Sequence, residues 1–460
     1  MQKISLRERV SYGLGDFASS MFWKLFSFFL LFFYTDVVGL SAAAVGTMFL
    51  VTRVWDAAND PIMGMIGDRT RTRWGKFRPY LLFGAIPFGI VGALTFTTPD
   101  LGATGRLIYA YVTYSLMMMM YTAINVPYAA LMGVMSADTG ERTTLASWRF
   151  IGGFAGGLLV TATANSMVEF FGASGNMARG YQRAAIVYAV VAAGLFLLTF
   201  AGTRERLKPA VERSSRLRDD LRDLARNGPW FLMLGAGISI LIFNSIRDAS
   251  ILYYFKYYVG DQTVRFLGEV SQGVLASAFM SSLLAASILG VILAKPVSAR
   301  IGKKQTFIFS GIITTVLSVL FFFLPPSQIG MIFLVNVLVG IASGIVLPII
   351  WAMYADVSDY SEWRTGRRAT GLIFSSSSMS QKIGWTIGGA FAGWLLAAFG
   401  FVANVVQGDD ALLGIRLMIS IIAGAGALLS VGFMLFYPLT ESYMTRVGSE
   451  LEEARARSMD

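Results

Sequence analysis

The sequence predicts an all-helical (all-α) membrane protein with twelve transmembrane helices arranged as two six-helix pseudo-repeats. Three observations predict it: a charge-poor composition, a series of long apolar segments, and two loop motifs that recur at nearly one distance. Of the 460 residues, 55% are hydrophobic and 14% are charged, whereas soluble domains are about one-quarter charged. A soluble core could not absorb this much apolar sequence without large exposed patches, so we expect the excess to face lipid.

The composition also excludes several function classes. The chain has no Cys and no His, so disulfides, thiolate nucleophiles and imidazole proton relays are ruled out. We find no nucleophile–base set and no metal-ligand cluster in the sequence, and we expect neither an enzyme nor a cofactor. The net charge of +10 would suggest a nucleic-acid partner for a soluble protein, but here the partner is the lipid bilayer and no nucleic acid is expected.

Twelve apolar segments are long enough to cross a bilayer, which takes about 20 residues as one helix. Several are rich in Gly, which lets membrane helices approach closely. The predicted spans are residues 11–34, 40–65, 80–98, 105–133, 147–170, 183–202, 230–258, 269–294, 306–325, 329–354, 371–399 and 411–438.

The positions of Lys and Arg predict the orientation, because these residues are enriched on the cytoplasmic side of membrane proteins. Of the 38 Lys and Arg residues, 28 lie on the side of the N-terminal segment, the loops after even-numbered spans and the C-terminal tail, span ends on that side included. Five lie on the other side, again with the span ends included, and the remaining five lie deeper within the spans. We therefore expect both termini in the cytoplasm and the chain in an inner (plasma) membrane.

A polar stretch after the sixth span divides the chain into two halves. The predicted organisation is an N-terminal six-helix bundle at 1–203, a cytoplasmic linker at 204–228, a C-terminal six-helix bundle at 229–440 and a cytoplasmic tail at 441–460.

Two loop motifs repeat between these halves. Arg73-Trp-Gly-Lys76 recurs as Arg300-Ile-Gly-Lys303, at an offset of 227 residues. The second motif begins Ala137-Asp138 in the first half and Ala355-Asp356 in the second, and its Thr139 and Thr365 are offset by 226 residues. Two parallel six-span repeats are the plan of major-facilitator transporters, in which the substrate site lies at the midplane between the halves. The recurrence favours a conformational latch, and the predicted conformational residues are Arg53, Arg73, Lys76, Arg142, Arg300 and Arg368.

The second span carries charges that are expensive within a membrane, at about 2.5–3.5 kcal/mol each on the insertion scale. Asp56 and Asp60 lie one turn apart on one face, with Arg53 and Asn59 beside them. Pro61 can free a carbonyl in the preceding turn. Carboxylate, amide and carbonyl oxygens make a hard site that suits Na⁺, or H⁺ by carboxylate protonation. The alternative is that one acid simply pairs with Arg53 or with an Arg of another helix.

Other spans contribute polar side chains that point to a substrate. Asp16, Ser20 and Lys24 recur every four residues on the first span, and Asp16 is equally a ligand or a structural partner of loop cations. Lys382 lies in the eleventh span, which carries no acid near it. The fourth span carries Tyr121, Thr122, Asn125 and Tyr128.

Three strings of residues carry a resemblance to a known family. They are Tyr34-Thr-Asp-Val-Val-Gly-Leu-Ser41, Arg53-Val-Trp-Asp-Ala-Ala-Asn-Asp-Pro61 and Arg73-Trp-Gly-Lys76. With these strings the chain resembles the glycoside–pentoside–hexuronide:cation symporters, the family of melibiose permease and a branch of the major facilitator superfamily. The resemblance continues through Trp148-Arg149-Phe150 and Lys382, and so covers nearly the whole chain.

The resemblance implies a cation site at Asp56 and Asp60, assisted by Asn59 and Thr122. It also implies a sugar site formed by the first and fourth spans together with Arg149 and Lys382. The family carries glycosides, pentosides and uronides with Na⁺, Li⁺ or H⁺.

The chain departs from the family pattern at the sugar site. In an ungapped alignment to melibiose permease, two sugar-binding acids fall on Ser20 and Asn125, and two sugar-contacting Trp positions fall on Ala129 and Leu347. The pocket would then be more positive, which suits a carboxylated or sulfated sugar, although neutral pentosides and β-glycosides remain open. Trp351, one turn beyond Leu347, is a candidate stacking face. The predicted substrate-binding residues are Ser20, Lys24, Tyr121, Asn125, Tyr128, Arg149, Trp351 and Lys382.

The predicted function is therefore symport of a sugar or acidic sugar with one monovalent cation, Na⁺ or H⁺, by alternating access in a monomer. A lysolipid carrier of the same superfamily and a sugar receptor that does not transport are the alternatives.

Overall fold

The computed structural model describes residues 4–136, 139–173, 175–206, 226–264, 268–365 and 370–457. Helices make up most of these ranges. In the first half they are α1 (Leu6–Lys24, followed by π-helical turns at Leu25–Leu30 and Phe33–Val37), α2 (Ala42–Arg69), α3 (Arg78–Thr95), α4 (Ala103–Met135), α5 (Thr139–Phe171) and α6 (Met177–Gly202). The second half contains α7 (Gly228–Tyr253, then a π-helical turn at Tyr254–Val259), α8 (Gln272–Ile301), α9 (Lys303–Phe322), α10 (Ile329–Thr365), α11 (Thr370–Ala398), α12 (Asp409–Leu417), a π-helical turn (Met418–Ile422), α13 (Ala423–Leu435) and α14 (Glu441–Arg457).

Local signals explain where several helices begin. The side chains of Ser5 and Ser41 cap α1 and α2 by accepting backbone N–H groups of the first turn. Asn176 caps α6 in the same way. Pro87, Pro127, Pro296 and Pro348 lie inside helices, which membrane helices tolerate more readily than soluble ones.

Nine helices within the described ranges are long and apolar enough to cross a bilayer. Helices α1, α2 and α11 are not among the nine, and they carry the candidate residues Lys24, Asp56 and Lys382. The predicted all-helical, multi-span architecture is therefore confirmed at this coarser level.

Two predicted loops turn out to be helical. Helix α5 begins at Thr139 and α10 continues to Thr365, so Arg142 and the Ala355-Asp356 motif lie on helices rather than in the loops that we expected. Residues 355–365 of α10 contain no Gly or Pro, and the Gly of the α5 segment, Gly140, lies in the first turn of the helix. Neither segment therefore has a breaker between the polar flank and the predicted span boundary.

Two further elements were not predicted. A two-stranded antiparallel hairpin, β1 (Gln262–Val264) and β2 (Gly268–Val270), lies between α7 and α8. The tail forms helix α14, whose Val447 and Leu451 are buried. Their spacing of four residues puts both on one face, and this face packs on α10.

The described chain divides into two compact units. The first comprises residues 1–211, 249–281 and 390–412. Within it, α1 packs closely along α5 because α5 has Gly at the crossing. A Cβ on Gly152 would lie 2.0 Å from the Gly13 carbonyl oxygen, and a Cβ on Gly156 would lie 2.3 Å from that of Phe17. The crossing therefore requires these glycines, as in other close membrane helix pairs.

The second unit comprises residues 212–248, 282–389 and 413–460. Its core includes Trp230, Met233, Phe307 and Met353. Arg247 is buried there and donates to the Ile419 carbonyl oxygen and to Asn336 Oδ1, both at 2.9 Å. These bonds join α7 to two other helices of this unit.

Candidate functional site

The predicted cation site lies where α2 meets α4 in the first unit. Asp56 is buried, with 5% of its surface exposed, and its Oδ1 accepts a 2.8 Å hydrogen bond from Thr122 Oγ1. Thr122 is also buried, and Asn59 is half-buried one turn along α2. The backbone of Asp60 continues the same helix, but its side chain lies outside the described residues. The structure thus brings together Asp56 and Thr122, which are 66 residues apart in the chain.

Arg53 lies on the same helix and contacts aromatic side chains. Its Nε donates to the Tyr114 hydroxyl at 3.2 Å, and its guanidinium carbon lies 4.7 Å from the centroid of the Trp23 ring. Trp23 in turn lies against Tyr121, with centroids 5.6 Å apart. An aromatic cluster from α1 and α4 therefore lines the side of α2 that carries Arg53.

Asn125 on α4 is held by hydrogen bonds on both sides of its amide. Its Nδ2 donates to the Tyr121 carbonyl oxygen at 2.9 Å, and its Oδ1 accepts from Ser19 Oγ at 2.8 Å. The partner of its Oδ1 is thus Ser19, which is not among the predicted substrate-binding residues. Ser20 is half-buried near Gly153 and Asp16, since a Cβ on Gly153 would lie 3.2 Å from its Oγ.

Asp16, which is not among the predicted substrate-binding residues, pairs with one of them. Arg149 Nε lies 3.2 Å from Asp16 Oδ1. Their side chains are 33% and 18% exposed, respectively, so the ion pair is partly open. Asp16 therefore pairs with a predicted substrate residue rather than with a loop cation. The i, i+4 spacing of Asp16 and Ser20 was the only sequence signal for it.

Tyr128 forms a fully buried support beneath this ion pair. Its ring stacks on Tyr12 with centroids 4.8 Å apart, and its hydroxyl donates to the Tyr12 carbonyl oxygen at 2.6 Å. The Arg149 guanidinium carbon lies 5.3 Å from the Tyr128 centroid. Lys24, half-buried on α1, lies 4.8 Å from the Phe28 ring.

Two predicted substrate residues lie in the second unit. Trp351 on α10 is half-buried, with its ring 6.3 Å from that of Tyr354. Lys382 on α11 is also half-buried, and its carbonyl oxygen accepts from Thr386 Oγ1 at 2.6 Å.

Arg73 and Lys76, two of the predicted latch residues, lie in the segment between α2 and α3. Arg73 lies over the adjacent Trp74 ring at 4.2 Å. The backbone N–H of Lys76 donates to Glu205 Oε2 at 2.8 Å, and those of Phe77 and Arg78 donate to its Oε1 at 2.7 and 2.9 Å. Glu205 thus caps α3, where a helix N-terminus favours negative charge, and nothing in the sequence had singled it out.

In the second half the two repeated motifs contact each other. Lys303, from the first motif, lies 2.7 Å from Asp356 Oδ1 of the second. Arg300 is exposed near the end of α8. The side chains of Arg142 and Arg368 lie outside the described residues.

Comparisons with known proteins support the predicted family. A family model described as "MFS/sugar transport protein" matches residues 11–441. The chain is 39% identical over 462 residues to the putative glycoside/cation symporter YagG of Escherichia coli (strain K12), which covers 99% of this chain and 97% of that one. It is 34% identical over 454 residues to the isoprimeverose transporter of Lactiplantibacillus pentosus, with coverage of 98% and 92%.

Solved structures show the same fold. The crystal structure of the nucleoside transporter NupG aligns with a TM-score of 0.62 at 15% identity, over 94% of this chain and 100% of that one. The resemblance predicted from the sequence strings is therefore confirmed across the whole length. The chain belongs to the MFS/sugar transport protein family and is a multi-pass membrane transporter.

Proposed function

We propose that the protein is a cation-coupled sugar symporter that carries a glycoside, pentoside or uronide together with Na⁺ or H⁺. The single observation that carries the proposal is the buried Asp56 carboxylate oriented by Thr122 beside a polar and aromatic wall. Buried carboxylates in membrane proteins are expensive unless they are used or paired. The relatives described as a glycoside/cation symporter and an isoprimeverose transporter support the same function.

The proposed cation ligands are Asp56, Asp60, Asn59 and Thr122. Their carboxylate, amide and hydroxyl oxygens are the hard ligands that small cations prefer. One charge moving inward across 100 mV supplies about 2.3 kcal/mol, which corresponds to roughly 40-fold accumulation at about 1.4 kcal/mol per decade.

The proposed sugar site uses the Asp16–Arg149 pair as its polar centre. A carboxylate can accept sugar hydroxyl hydrogens while the adjacent guanidinium donates to sugar oxygens. Because Asp16 offsets the charge of Arg149, this region is less positive than the replacement of two family acids by Ser20 and Asn125 suggested. Neutral sugars are therefore favoured over acidic ones. The remaining proposed substrate residues are Ser20, Lys24, Tyr121, Asn125, Tyr128, Trp351 and Lys382.

The proposed architecture has twelve spans in two six-helix halves, at 1–203 and 229–440, joined by a linker at 204–228. The excess of Lys and Arg favours cytoplasmic termini in an inner membrane, and we expect a monomer. Rocking of the halves about the shared site would expose it to each side in turn.

The test is counterflow of labelled neutral glycosides, pentosides and uronates in proteoliposomes, with and without Na⁺ and at several pH values. Asp56→Asn should abolish the cation stimulation of sugar uptake. The exposed acid Asp410 provides the matched control, and Asp410→Asn should keep it. Undiminished cation-stimulated uptake in Asp56→Asn would contradict the proposal. Sugar binding without uptake, or lysolipid transport without sugar competition, would also refute it.

A further inference from the structure

A closed set of contacts links the candidate cation carboxylate to the aromatic cluster. Asp56 on α2 bonds Thr122 on α4. The neighbouring Tyr121 lies against Trp23 on α1, and Trp23 lies under the guanidinium of Arg53, which returns to α2. Arg53 and Asp56 are three residues apart, so they are neighbours on one helix face.

Trp23 occupies the position in this set that decides where the Arg53 guanidinium lies. A guanidinium is attracted to the face of an indole, and here the ring-to-carbon distance is 4.7 Å. The second described contact of Arg53 is a bond to the neutral hydroxyl of Tyr114. Without the indole, the nearby Asp56 carboxylate would become the stronger attraction for this guanidinium, because charge pairs in a membrane interior are weakly screened.

We propose that Trp23 is a positioning residue, which holds Arg53 and so limits its competition with the co-transported cation for Asp56. The inference rests on the proposed cation site. Because Trp23 also contacts Tyr121, a sugar bound against these rings would fix the indole and thereby favour cation binding. By reciprocity, the cation would favour sugar binding to the same extent.

The test measures the apparent Na⁺ affinity of sugar uptake, with Asp56→Asn run beside it as the test of the cation site itself. Trp23→Leu should lower the apparent Na⁺ affinity at least fivefold. Trp23→Phe keeps an aromatic face, so its Na⁺ affinity should lie between those of wild type and Trp23→Leu. Adding Arg53→Gln to Trp23→Leu should restore the Na⁺ affinity to within twofold of wild type, because the competing charge is gone.

Wild-type Na⁺ affinity in Trp23→Leu, or failure of Arg53→Gln to restore it, would overturn the role of Trp23. If Asp56→Asn removes the Na⁺ dependence in the same series, the proposed symport function survives that result. Where Trp23→Leu does not fold, the same comparison is made with Trp23→Phe alone and with Trp23→Phe combined with Arg53→Gln, which should restore the Na⁺ affinity.

A second, independent observation concerns the end of α1 opposite to the N-terminus. The Asp36 side chain, 1% exposed, lies 2.7 Å from Lys256 Nζ. Its Oδ1 also accepts a hydrogen bond from the Tyr257 hydroxyl, and its Oδ2 accepts one from Thr35 Oγ1 at 2.7 Å. Both Asp36 and Lys256 sit on π-helical turns, which are frequent at functional sites.

Asn404 completes this cluster from the loop that follows α11. Its Nδ2 donates to the Asp36 carbonyl oxygen at 2.6 Å, and its Oδ1 accepts from Lys256 Nζ at 2.7 Å. Its φ is 60°, the single positive value outside Gly in the described residues, and Asn tolerates this region better than most residues. Three segments far apart in the chain therefore meet at Asp36, with Lys256 and Tyr257 on its carboxylate and Asn404 on its carbonyl oxygen.

We infer that Asp36, Lys256 and Asn404 form a second latch, separate from the one predicted at the loop motifs. It must open whenever the transporter opens on the side where the first span ends. The Asp36 side chain is buried and that of Lys256 is 26% exposed, so separating the pair would leave the carboxylate without its partner in a poorly solvated position. All residues of the second latch belong to the first unit, so the contacts that close it are made within that unit.

The absence of Cys from the chain allows a clean accessibility test. Ser27→Cys, nine residues before Asp36 on the same helix, serves as a reporter for a membrane-impermeant maleimide applied to intact cells. Lys256→Met should raise the labelling rate at least threefold, and the charge exchange Asp36→Lys with Lys256→Asp should return it to within twofold of the reporter alone. The exposed cation Arg179 supplies the control Arg179→Gln, and equal rates in this control and in Lys256→Met would overturn the inference.

Discussion

Replacing Gly156 by Ala tests whether the close crossing of α1 and α5 sets the geometry of the Asp16–Arg149 pair. The new Cβ would lie 2.3 Å from the Phe17 carbonyl oxygen, whereas ordinary contacts begin at 3.4 Å. The helices must therefore separate by about 1 Å, and overpacking of this kind costs about 1–3 kcal/mol. The same displacement would stretch the 3.2 Å Asp16–Arg149 contact beyond hydrogen-bond distance.

The assay combines thermal unfolding of the purified protein with sugar uptake in proteoliposomes. Gly156→Ala should unfold at a lower temperature and should take up sugar with weaker apparent affinity. The control is Gly194→Ala on α6, where a Cβ meets nothing within 4 Å and where Ala improves helix propensity by about 1 kcal/mol. If Gly156→Ala matches wild type in both measurements, the crossing does not set the site geometry.

Three further predictions concern single contacts. Thr122→Val removes a hydrogen bond to a charged group, worth about 1.5–3 kcal/mol, so the apparent Na⁺ affinity of uptake should fall roughly tenfold or more, while Thr95→Val, whose hydroxyl bonds its own helix, should leave it unchanged. Glu205→Ala leaves three backbone N–H groups at the start of α3 and in the two residues before it without their acceptor, so trypsin should cleave the loop before α3 faster than in wild type. Hydrogen bonding from Arg446 lowers the pKa of Glu450 on α14 below 4.5. The contribution of ionised Glu450 to the stability of the folded state is therefore complete above the ordinary pKa, and it is lost as the pH falls through the lowered pKa. Trp363 donates to Glu450, so the fluorescence of Trp363 should change only below about pH 4.5.

The family and the helical architecture were predictable because they depend on local patterns. Long apolar runs predict spans regardless of their neighbours, and the Asp56 string lies within one helix, where spacing defines the shared face. The helical continuation at Thr139–Arg142 and the tail helix α14 were missed, because polar residues end a hydropathy segment without ending a helix.

The partners of the site residues could not be predicted in the same way. Asp16 and Arg149 are 133 residues apart in the chain, and adjacent residues on a helix differ by about 100° in direction. Whether Ser19 or its neighbour Ser20 faces Asn125 therefore depends on the rotation of the helix, which the residue pattern alone does not determine. Glu205 was invisible for another reason, since its three partners are backbone N–H groups that leave no trace in the side-chain pattern.

The pairing of Asp16 with Arg149 changes the electrostatic argument about the substrate. The loss of two family acids at Ser20 and Asn125 implied a positive pocket only if no other acid replaced them. Asp16 lies four residues before Ser20, one helical turn away, and its carboxylate contacts a cation that was counted as uncompensated. The first unit therefore retains an acid–guanidinium pair, one turn from the family position, which we propose binds sugar hydroxyls. An acidic sugar would then have to depend on Lys24 or Lys382, so Lys382→Ala should reduce any uronate uptake and spare neutral sugars. Wild-type uptake of uronates in preference to neutral sugars would contradict the proposed preference.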